Sequence, residues 1–304
     1  MIPTMFIVSI IVFLTIRLIP GDTLEVMAST RYITKESRDA IRVALGLDLP
    51  AHVQYGRWMS GVLQGDLGTS FFTNLPITPL ILQKLPVSLE MGGIAIIFAL
   101  ALAIPVGVYS GMRPESKTDH LLRSISILFI CVPSFWLGTM ILIYPAIWWN
   151  WSPPLYYVSF FEDPLTNLTI VSIPALILGM WLSGIIMRLT RTMMLEILKQ
   201  DYIRTAWAKG LNERVVIVRH VLKNSLIPVV TMIGLQLPVM IGGAIVVEYI
   251  FNIPGIGSLV VETLLQRDYN ILSGINLFMA GFVLVANVLI DITYAWLDPR
   301  IQYS

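Results

Sequence analysis

The side chains that could carry out chemistry are few in this chain, and their positions argue against catalysis. The three histidines, His52, His120 and His220, fall in predicted loops, and none shares an apolar segment with a serine that it could activate. No His-Glu-x-x-His sequence is present, which excludes a zinc site of that kind. The apolar segments also lack a histidine that could ligate a haem iron. We therefore expect a protein that is not an enzyme.

The sequence also excludes nucleotide binding by a P-loop. The motif Gly-x-x-x-x-Gly-Lys-Ser/Thr does not occur, and even the dipeptide Gly-Lys is absent. That motif supplies the backbone amides and the lysine that hold the phosphates in P-loop ATPases. We therefore expect no cofactor on this chain. If ATP drives the protein, another subunit must bind the nucleotide.

Ionisable and amide side chains near the apolar segments are the remaining candidates, because charges in lipid are costly and suggest function. Glu90, Glu248 and Asp291 stand at segment boundaries, where they could reach the headgroups or pair with a neighbouring loop. Glu248 has the strongest case for a gate, or for contact with a cationic solute group, since the glycine-rich turn 254–257 follows it. Uncharged polar residues within the segments could line a cavity, and these are Gln236, Asn276 and Asn287.

The apolar segments that would position these groups are long and numerous. The 304 residues are 56% hydrophobic and 13% charged, whereas a soluble domain carries about 25% charged residues. A membrane helix needs roughly 20 mostly apolar residues. Six stretches approach or reach that length, which predicts an all-α polytopic membrane protein with six transmembrane helices: 2–18, 91–109, 124–147, 170–187, 225–247 and 271–290.

Basic residues indicate how these helices are oriented. With six spans both termini face the same side of the membrane as the segment 188–224. That segment has eight basic residues and three acidic ones. Loops rich in lysine and arginine face the cytosol, so we expect both termini there. An aromatic cluster after the third span fits headgroup depth better than a ligand cage, and it contains Trp148, Trp149, Trp151, Tyr156 and Tyr157.

The outer connecting segment, 20–88, is predicted to be helical. Thr34 could cap a first helix that Gly46 ends, and a second helix should cover 52–63, with Gly65 beyond its end. Together they would form a small lid at the outer mouth of the bundle. The segment is too short to bury a large core by itself.

The inner connecting segment, 188–224, is predicted to contain two short helices. Asp201 begins the first, with Ile203, Ala206 and Trp207 on one face, Gly210 ends it, and Asn212 caps the second. Apolar and basic residues alternate along this pair. Such a pair could rest on anionic lipid headgroups. Alternatively, it could dock a cytosolic protein through its apolar face.

This inner segment resembles the cytoplasmic signature of binding-protein-dependent ABC importer permeases, in the dipeptide/oligopeptide/nickel branch. The matching residues are Asp201-Tyr-Ile-Arg-Thr-Ala-Trp-Ala-Lys-Gly-Leu211 and Arg219-His-Val-Leu-Lys-Asn-Ser-Leu-Ile-Pro228. Further similar stretches follow in order along nearly the whole chain, at 17–22, 45–48, 65–70, 246–257 and 297–301. Arg204 and Thr205 depart from the Glu-Ala-Ala of importer permeases in general, and we interpret them as marks of this branch. The basic residues that usually precede the first span are missing, which suggests a start upstream of Met1.

The resemblance implies a type I ABC importer transmembrane fold with a defined division of the chain. Its parts would be a first transmembrane helix (1–19), an extracytoplasmic helical segment (20–88), a transmembrane domain (89–297) that includes the coupling loop 188–224, and a cytoplasmic tail (298–304). The residues of the coupling helix and its turn would be Asp201, Tyr202, Arg204, Thr205, Ala206, Trp207, Lys209, Gly210, Leu211 and Arg214. Gly210 would permit the sharp turn because it has no Cβ.

The resemblance also implies a function and a set of partners. The chain would form half of a translocation pore for peptides or similar small solutes in a prokaryotic inner membrane. A homologous second permease would complete a heterodimeric pore. Cytosolic ATPase subunits would bind the coupling loop, and a solute-binding protein would bind the outer segment. The lipid bilayer would surround the chain, and no nucleic-acid partner is expected.

Two other functions stay open from the residues alone. An ATP-independent secondary transporter often shows repeated halves and ionisable groups at the membrane midplane. This chain shows no convincing repeat, and its charges lie at segment boundaries. A membrane scaffold subunit would also use a basic docking loop, although polar amides within the spans favour a lined cavity.

Overall fold

The computed structural model describes residues 2–18, 42–43, 48–154 and 156–297. Within these ranges the chain is helical, and the only β-pairing is an isolated bridge between Thr69 and Pro76. Of the first helix of the outer segment, predicted between Thr34 and Gly46, only residues 42–43 are described, and they are helical. The tail 298–304 lies outside the described residues. The helices are α1 (Ile2–Leu18), α2 (Ala51–Leu63), α3 (Ile77–Met112), α4 (Lys117–Cys131), α5 (Ser134–Trp149), α6 (Pro164–Leu198), α7 (Asp201–Ala208), α8 (Glu213–Val215), α9 (Lys223–Ile250), α10 (Ile256–Gln266) and α11 (Tyr269–Leu297).

Several of these helices are long and apolar enough to cross a membrane. Four segments of the described chain meet that condition: Ile77–Met112, Pro164–Leu198, Glu213–Leu237 and Tyr269–Ile290. The α4–α5 pair makes a fifth if it is counted as one broken span. α1 is apolar and corresponds to the first predicted span, but it has only 17 residues. The all-α polytopic fold is thus confirmed, with four or five spans supported by length and composition.

The third predicted span is not one straight helix. α4 ends at Cys131 and α5 begins at Ser134, and the two helices meet at 91°. Val132 has φ −77° and ψ 119° because a residue that precedes a proline is pushed out of the helical region. Pro133 therefore interrupts the stretch 124–147, which the absence of charge alone had suggested to be continuous. Cys131 is exposed at this break.

The chain divides into two compact units, 1–86 with 255–285 and 87–254 with 286–304. In the first unit, α2 ends as predicted and Gly65 follows with φ +82°. Ser70 Oγ donates a 2.5 Å hydrogen bond to Asp268 Oδ2, and both side chains are buried. The loop after α2 is thereby held to the start of α11. The apolar core of this unit contains Leu67, Ile77, Ile81, Ile256, Leu259, Ile271, Ile275 and Leu277.

In the second unit, α3 approaches α6 closely through a row of small residues. Small side chains recur at every fourth position of α3, at Ala95, Ala99, Ala103, Gly107 and Gly111. A Cβ on Gly107 would lie 2.6 Å from Cβ of Thr190, and a Cβ on Gly111 would lie 2.6 Å from Cβ of Met194. Both distances are too short for real atoms, so only glycine fits. Close contact of small residues is the packing that holds membrane helices together.

Candidate functional site

The connection from α6 to α9 folds around a glycine turn. α7 begins at Asp201 as predicted, and Gly210 has φ +73°, a conformation that L side chains rarely adopt. Asn212 caps α8, as predicted, by accepting a 3.3 Å hydrogen bond from the backbone N–H of Arg214. α6 continues to Leu198, so residues 188–198 are helical and the connection itself is shorter than 188–224. No glycine or proline interrupts that part of α6.

A small apolar cluster lies beneath this turn, and we call it the loop core. Ile203 and Ala206, one turn apart on α7, are both buried in it. Trp207, which was predicted to share their face, is instead 42% exposed. Ala206 is only 6% exposed, so it holds α7 in place and is not available to a partner. The buried members of the loop core are Met194, Ile203, Ala206, Val216, Ile217 and Val221.

A π-helical stretch, Val216–Leu222, joins α8 to α9. Such wider turns inside helices are often found at functional sites. Asn224, just beyond it, donates hydrogen bonds from Nδ2 to the Tyr202 hydroxyl at 3.0 Å and to the His220 carbonyl at 2.8 Å. These bonds tie α7 to the start of α9, so the turn and the long helix are linked by more than the chain itself.

The connection also carries exposed apolar side chains, which we call the exposed apolar set. Of the ten coupling residues that the resemblance implied, nine are exposed and only Ala206 is buried. Large apolar side chains on a surface mark interaction sites when they lie together. A surface ion pair, Arg204 with Asp201 at 3.4 Å, adds little stability because both partners are exposed. The exposed apolar set contains Tyr202, Trp207, Leu211, Val215 and Val218, and exposed basic residues interleave with it at Arg204, Lys209, Arg214, Arg219 and Lys223.

A groove of about 400 Å³ opens beside this set. Its walls combine apolar side chains with one acidic and one basic residue. The lining residues are Met112, Asn212, Glu213, Arg214, Ile217 and Val218.

Asp119, at the start of α4, forms a buried ion pair that the sequence interpretation missed. Its carboxylate is fully buried and accepts two hydrogen bonds from Arg191 of α6, from Nε to Oδ1 and from Nη2 to Oδ2, both at 2.7 Å. The Ser110 hydroxyl and the Glu115 backbone N–H also donate to it. The available signal was the sequence Ser116-x-x-Asp119, a capping pattern in which Ser116 accepts a hydrogen bond from the Asp119 N–H. We call Asp119, Ser110 and Arg191 the inner clamp.

Glu248 does not reach the headgroups, which was one of its predicted alternatives. It is 0% exposed, in the last turn of α9, and Ser88 Oγ of α3 donates a 2.6 Å hydrogen bond to its Oε1. The backbone N–H of Ile253 bonds the Glu248 carbonyl at 2.8 Å, which closes the turn that follows. A fully buried acid here is costly, so its presence favours a function.

The other polar residues that were predicted to line a cavity are less buried than Glu248. Gln236 lies half-buried in α9, with Nε2 3.4 Å from Sδ of Met232 in the same helix. On α11, Asn276 is exposed and Asn287 is half-buried. The side chain of Asp291 lies outside the described residues.

Glu90 pairs with a neighbouring loop, as one of its predicted alternatives stated. The Tyr157 hydroxyl donates a 3.0 Å hydrogen bond to Glu90 Oε2. Burial and this bond raise the pKa of Tyr157 to about 12, which keeps the hydroxyl a donor. Tyr157 thus differs from the other four members of the predicted aromatic belt, Trp148, Trp149, Trp151 and Tyr156, which are exposed.

Comparison with known proteins places these features in a family. Residues 103–303 match the model of the binding-protein-dependent transport system inner membrane component, and residues 1–92 match the model of its N-terminal part. A putative peptide transport system permease protein of Brucella abortus (strain 2308) is 39% identical over 304 residues, covering 100% of this chain and 96% of the relative. The dipeptide transport system permease protein DppB of Escherichia coli (strain K12) is 36% identical over 326 residues, covering 100% and 96%. The oligopeptide transport system permease protein AppB of Bacillus subtilis (strain 168) is 37% identical over 309 residues, covering 99% and 96%.

Solved structures support the fold independently. The MetNI methionine ABC transporter, in inward-facing conformations, matches 72% of this chain and 96% of its own chain with a TM-score of 0.59 and 15% identity. An amino acid ABC transporter matches 71% of this chain and 94% of its own with a TM-score of 0.56 and 13% identity. At these identities the likeness shows the helical fold and nothing further.

Proposed function

This chain belongs to the family of binding-protein-dependent transport system inner membrane components, and from that premise we propose that it passes peptides across the membrane for an ATP-driven importer. It is a multi-pass membrane permease and a transport component rather than a catalytic one. The peptide substrate is supported by the relatives, which are peptide, dipeptide and oligopeptide permeases at 36–39% identity over nearly the whole chain.

The exposed apolar set on the α7–α9 connection is the observation that carries the ATP-driven part of the proposal. Trp207 and Tyr202 are 42% and 45% exposed, and their helix, α7, packs on the loop core through Ile203 and Ala206. Buried tryptophan and tyrosine anchors dominate the binding energy of protein interfaces. Because the chain has no P-loop, we infer that a cytosolic ATPase covers this set and supplies the energy.

This arrangement requires a particular orientation. The α7–α9 connection must face the cytosol. If α1 and the α4–α5 pair cross the membrane together with the four longer segments, both termini lie there too, in agreement with the distribution of basic residues. The outer segment 20–88 would face a solute-binding protein on the other side. A second, similar permease would complete the pore.

Reconstitution tests the proposal directly. The chain is purified with a second permease, ATPases and a binding protein from the same organism, and placed in proteoliposomes. We expect uptake of a radiolabelled dipeptide, Ala-Phe, that needs ATP on the ATPase side and the binding protein on the other. Equal uptake without the ATPases would favour a secondary transporter. Absence of uptake of di-, tri- and tetrapeptides by an assembled complex would contradict the peptide proposal.

Crosslinking tests the docking surface separately. In a Cys131→Ser chain, Thr205→Cys and Trp207→Cys place a thiol on exposed positions of α7, whereas Ala206→Cys places it in the loop core. We expect the exposed thiols to crosslink to an ATPase subunit in the active complex, and the buried thiol to react weakly. If only lipid-soluble reagents reach the exposed thiols and no ATPase is captured, the connection rests on the bilayer instead.

A further inference from the structure

Resting on the proposed function, we propose that the inner clamp positions the coupling helix α7, so that ATP hydrolysis and transport stay linked. Arg191 and Asp119 are positioning residues in this view, because they act through α7 without touching the solute or the nucleotide. Their predicted effect is on the number of peptides moved per ATP, more than on the rate of ATP hydrolysis itself.

The inner clamp joins three helices at one carboxylate. Asp119 belongs to α4, Ser110 to α3 and Arg191 to α6, and each of the last two donates to the Asp119 carboxylate. The backbone N–H of Glu115, in the turn between α3 and α4, donates at 3.0 Å. The carboxylate is fully buried, so moving any one of these elements away would remove donors that bulk water cannot readily replace.

The clamp lies within one helical turn of the loop core on two of these helices. On α6, Arg191 precedes the buried Met194 by three residues, so both point to neighbouring positions on one face. On α3, Ser110 follows Val108, which packs against the loop core. A force applied to α7 therefore reaches α6 and α3 at the level where Asp119 ties them to α4.

The bonding geometry suits force transmission better than an apolar contact would. An arginine fork bound to both oxygens of a carboxylate fixes direction as well as distance. Apolar contacts fix how closely two helices approach, but they specify no bond direction. Other charges face this pair from the surface: Glu115 lies 3.8 Å from Arg191, and Arg123 lies 4.0 Å from Asp119. Glu115 is 72% exposed, so water screens it and the buried pair stays the directional link.

The consequence follows along α4. This helix leads to the 91° bend before α5, so a movement that α6 shares with α4 is passed to the bent pair as well. Without the clamp, α6 could follow α7 while α4 stayed behind. ATP hydrolysis would then continue but would no longer reorganise the helices that surround the solute.

The test uses the reconstituted complex with the dipeptide Ala-Phe as the probe. Arg191→Lys keeps the charge but loses the fork, and Asp119→Asn loses the charge. We expect the stimulated ATPase rate to stay within about twofold of the parent, while Ala-Phe transported per ATP falls about fivefold or more. Arg113→Lys is the matched control, because Arg113 is an exposed arginine of the adjacent turn that contacts only Tyr109 among the described side chains. It should keep the parent ratio.

Chemical modification of a cysteine at position 191 can return the positive charge after assembly, and this distinguishes loss of the ion pair from misfolding. In a Cys131→Ser chain, Arg191→Cys gives a thiol that can be modified after assembly, either with aminoethyl methanethiosulfonate, which adds a cation, or with a propyl reagent of similar size. The cationic adduct should recover at least about half of the lost transport per ATP, and the neutral adduct should not. Because both adducts start from the same assembled complex, a purely structural role would not separate them.

Three results would overturn the inference. They are an unchanged ratio in both Asp119→Asn and Arg191→Lys, a parallel fall of ATPase and transport, and equal behaviour of the cationic and neutral adducts. Failure of the proposed function gives a different result, since the parent complex itself would then show no ATP-dependent uptake.

Discussion

Ser88 of α3 donates a 2.6 Å hydrogen bond to the fully buried carboxylate of Glu248, 160 positions further along the chain. The bond joins two helices of one unit, α3 and α9, through a buried ionisable group, which is costly to place away from water. An apolar residue at this position would avoid the cost of burying a carboxyl group. The presence of glutamate therefore suggests a function. The predictions that follow begin with this pair.

Glu248→Gln should lower dipeptide uptake about tenfold while the complex still assembles. Glutamine keeps the shape of the side chain and can still accept a hydrogen bond from the Ser88 hydroxyl. It lacks the negative charge that would attract the cationic end of a peptide. A hydrogen bond to a charged group contributes ~1.5–3 kcal/mol, which is enough for a loss of about tenfold or more. Uptake of Ala-Phe and recovery of the intact complex are measured together. Unchanged uptake with unchanged assembly would remove Glu248 from the pathway.

Gly107→Ala should destabilise the protein by about 1–3 kcal/mol, because the added Cβ would lie 2.6 Å from Cβ of Thr190 and 2.9 Å from the Met187 carbonyl oxygen. Gly92→Ala is the matched control on the same helix, since nothing lies within 4 Å of its Cβ position. Thermal unfolding in detergent, followed by loss of soluble complex, should separate the two. Equal melting temperatures would show that α3 and α6 are not so tightly packed.

Gly210→Val should reduce ATP-dependent uptake by distorting the turn, not by a clash. The position has φ +73° but nothing lies within 4 Å of the place that a Cβ would occupy, so the whole cost is in the backbone, about 1–2 kcal/mol. Gly210→Asn should keep more activity because asparagine tolerates this conformation better. The readout is ATP-dependent uptake of Ala-Phe by the reconstituted complex. Should valine and asparagine behave alike, the left-handed conformation is not what the site needs.

Trp207→Ala should weaken ATPase binding without lowering the stability of the permease. Removing an aromatic anchor from an interface costs about 2 kcal/mol or more, or roughly a 30-fold loss of affinity. Co-purification at graded ATPase concentrations measures the loss. Trp149→Ala is the control, since Trp149 is 71% exposed at the far end of the α4–α5 pair and belongs to the predicted headgroup belt. A similar loss for both variants would show that general surface hydrophobicity is responsible.

Much of the site's local shape could be predicted from nearby residues. The start of α7 at Asp201, the glycine turn at Gly210 and the cap at Asn212 all appear where the sequence placed them. Each depends on interactions within about four residues, such as a side chain that satisfies the first free N–H groups of a helix. Pro133 is a local signal of the same kind, because the residue before a proline leaves the helical region, and α4 ends there at Cys131.

The sequence by itself determined that this is an apolar helical membrane protein with a basic connection at 188–224 and no P-loop, because hydropathy, charge and motifs are properties of consecutive residues. Only the tertiary structure decided which side chains are buried. Ala206 faces the loop core while Trp207 beside it is exposed, and Asp119 meets Arg191 across 72 positions. Burial and pairing depend on which distant helices pack together, and the spacing within any one segment does not contain that information.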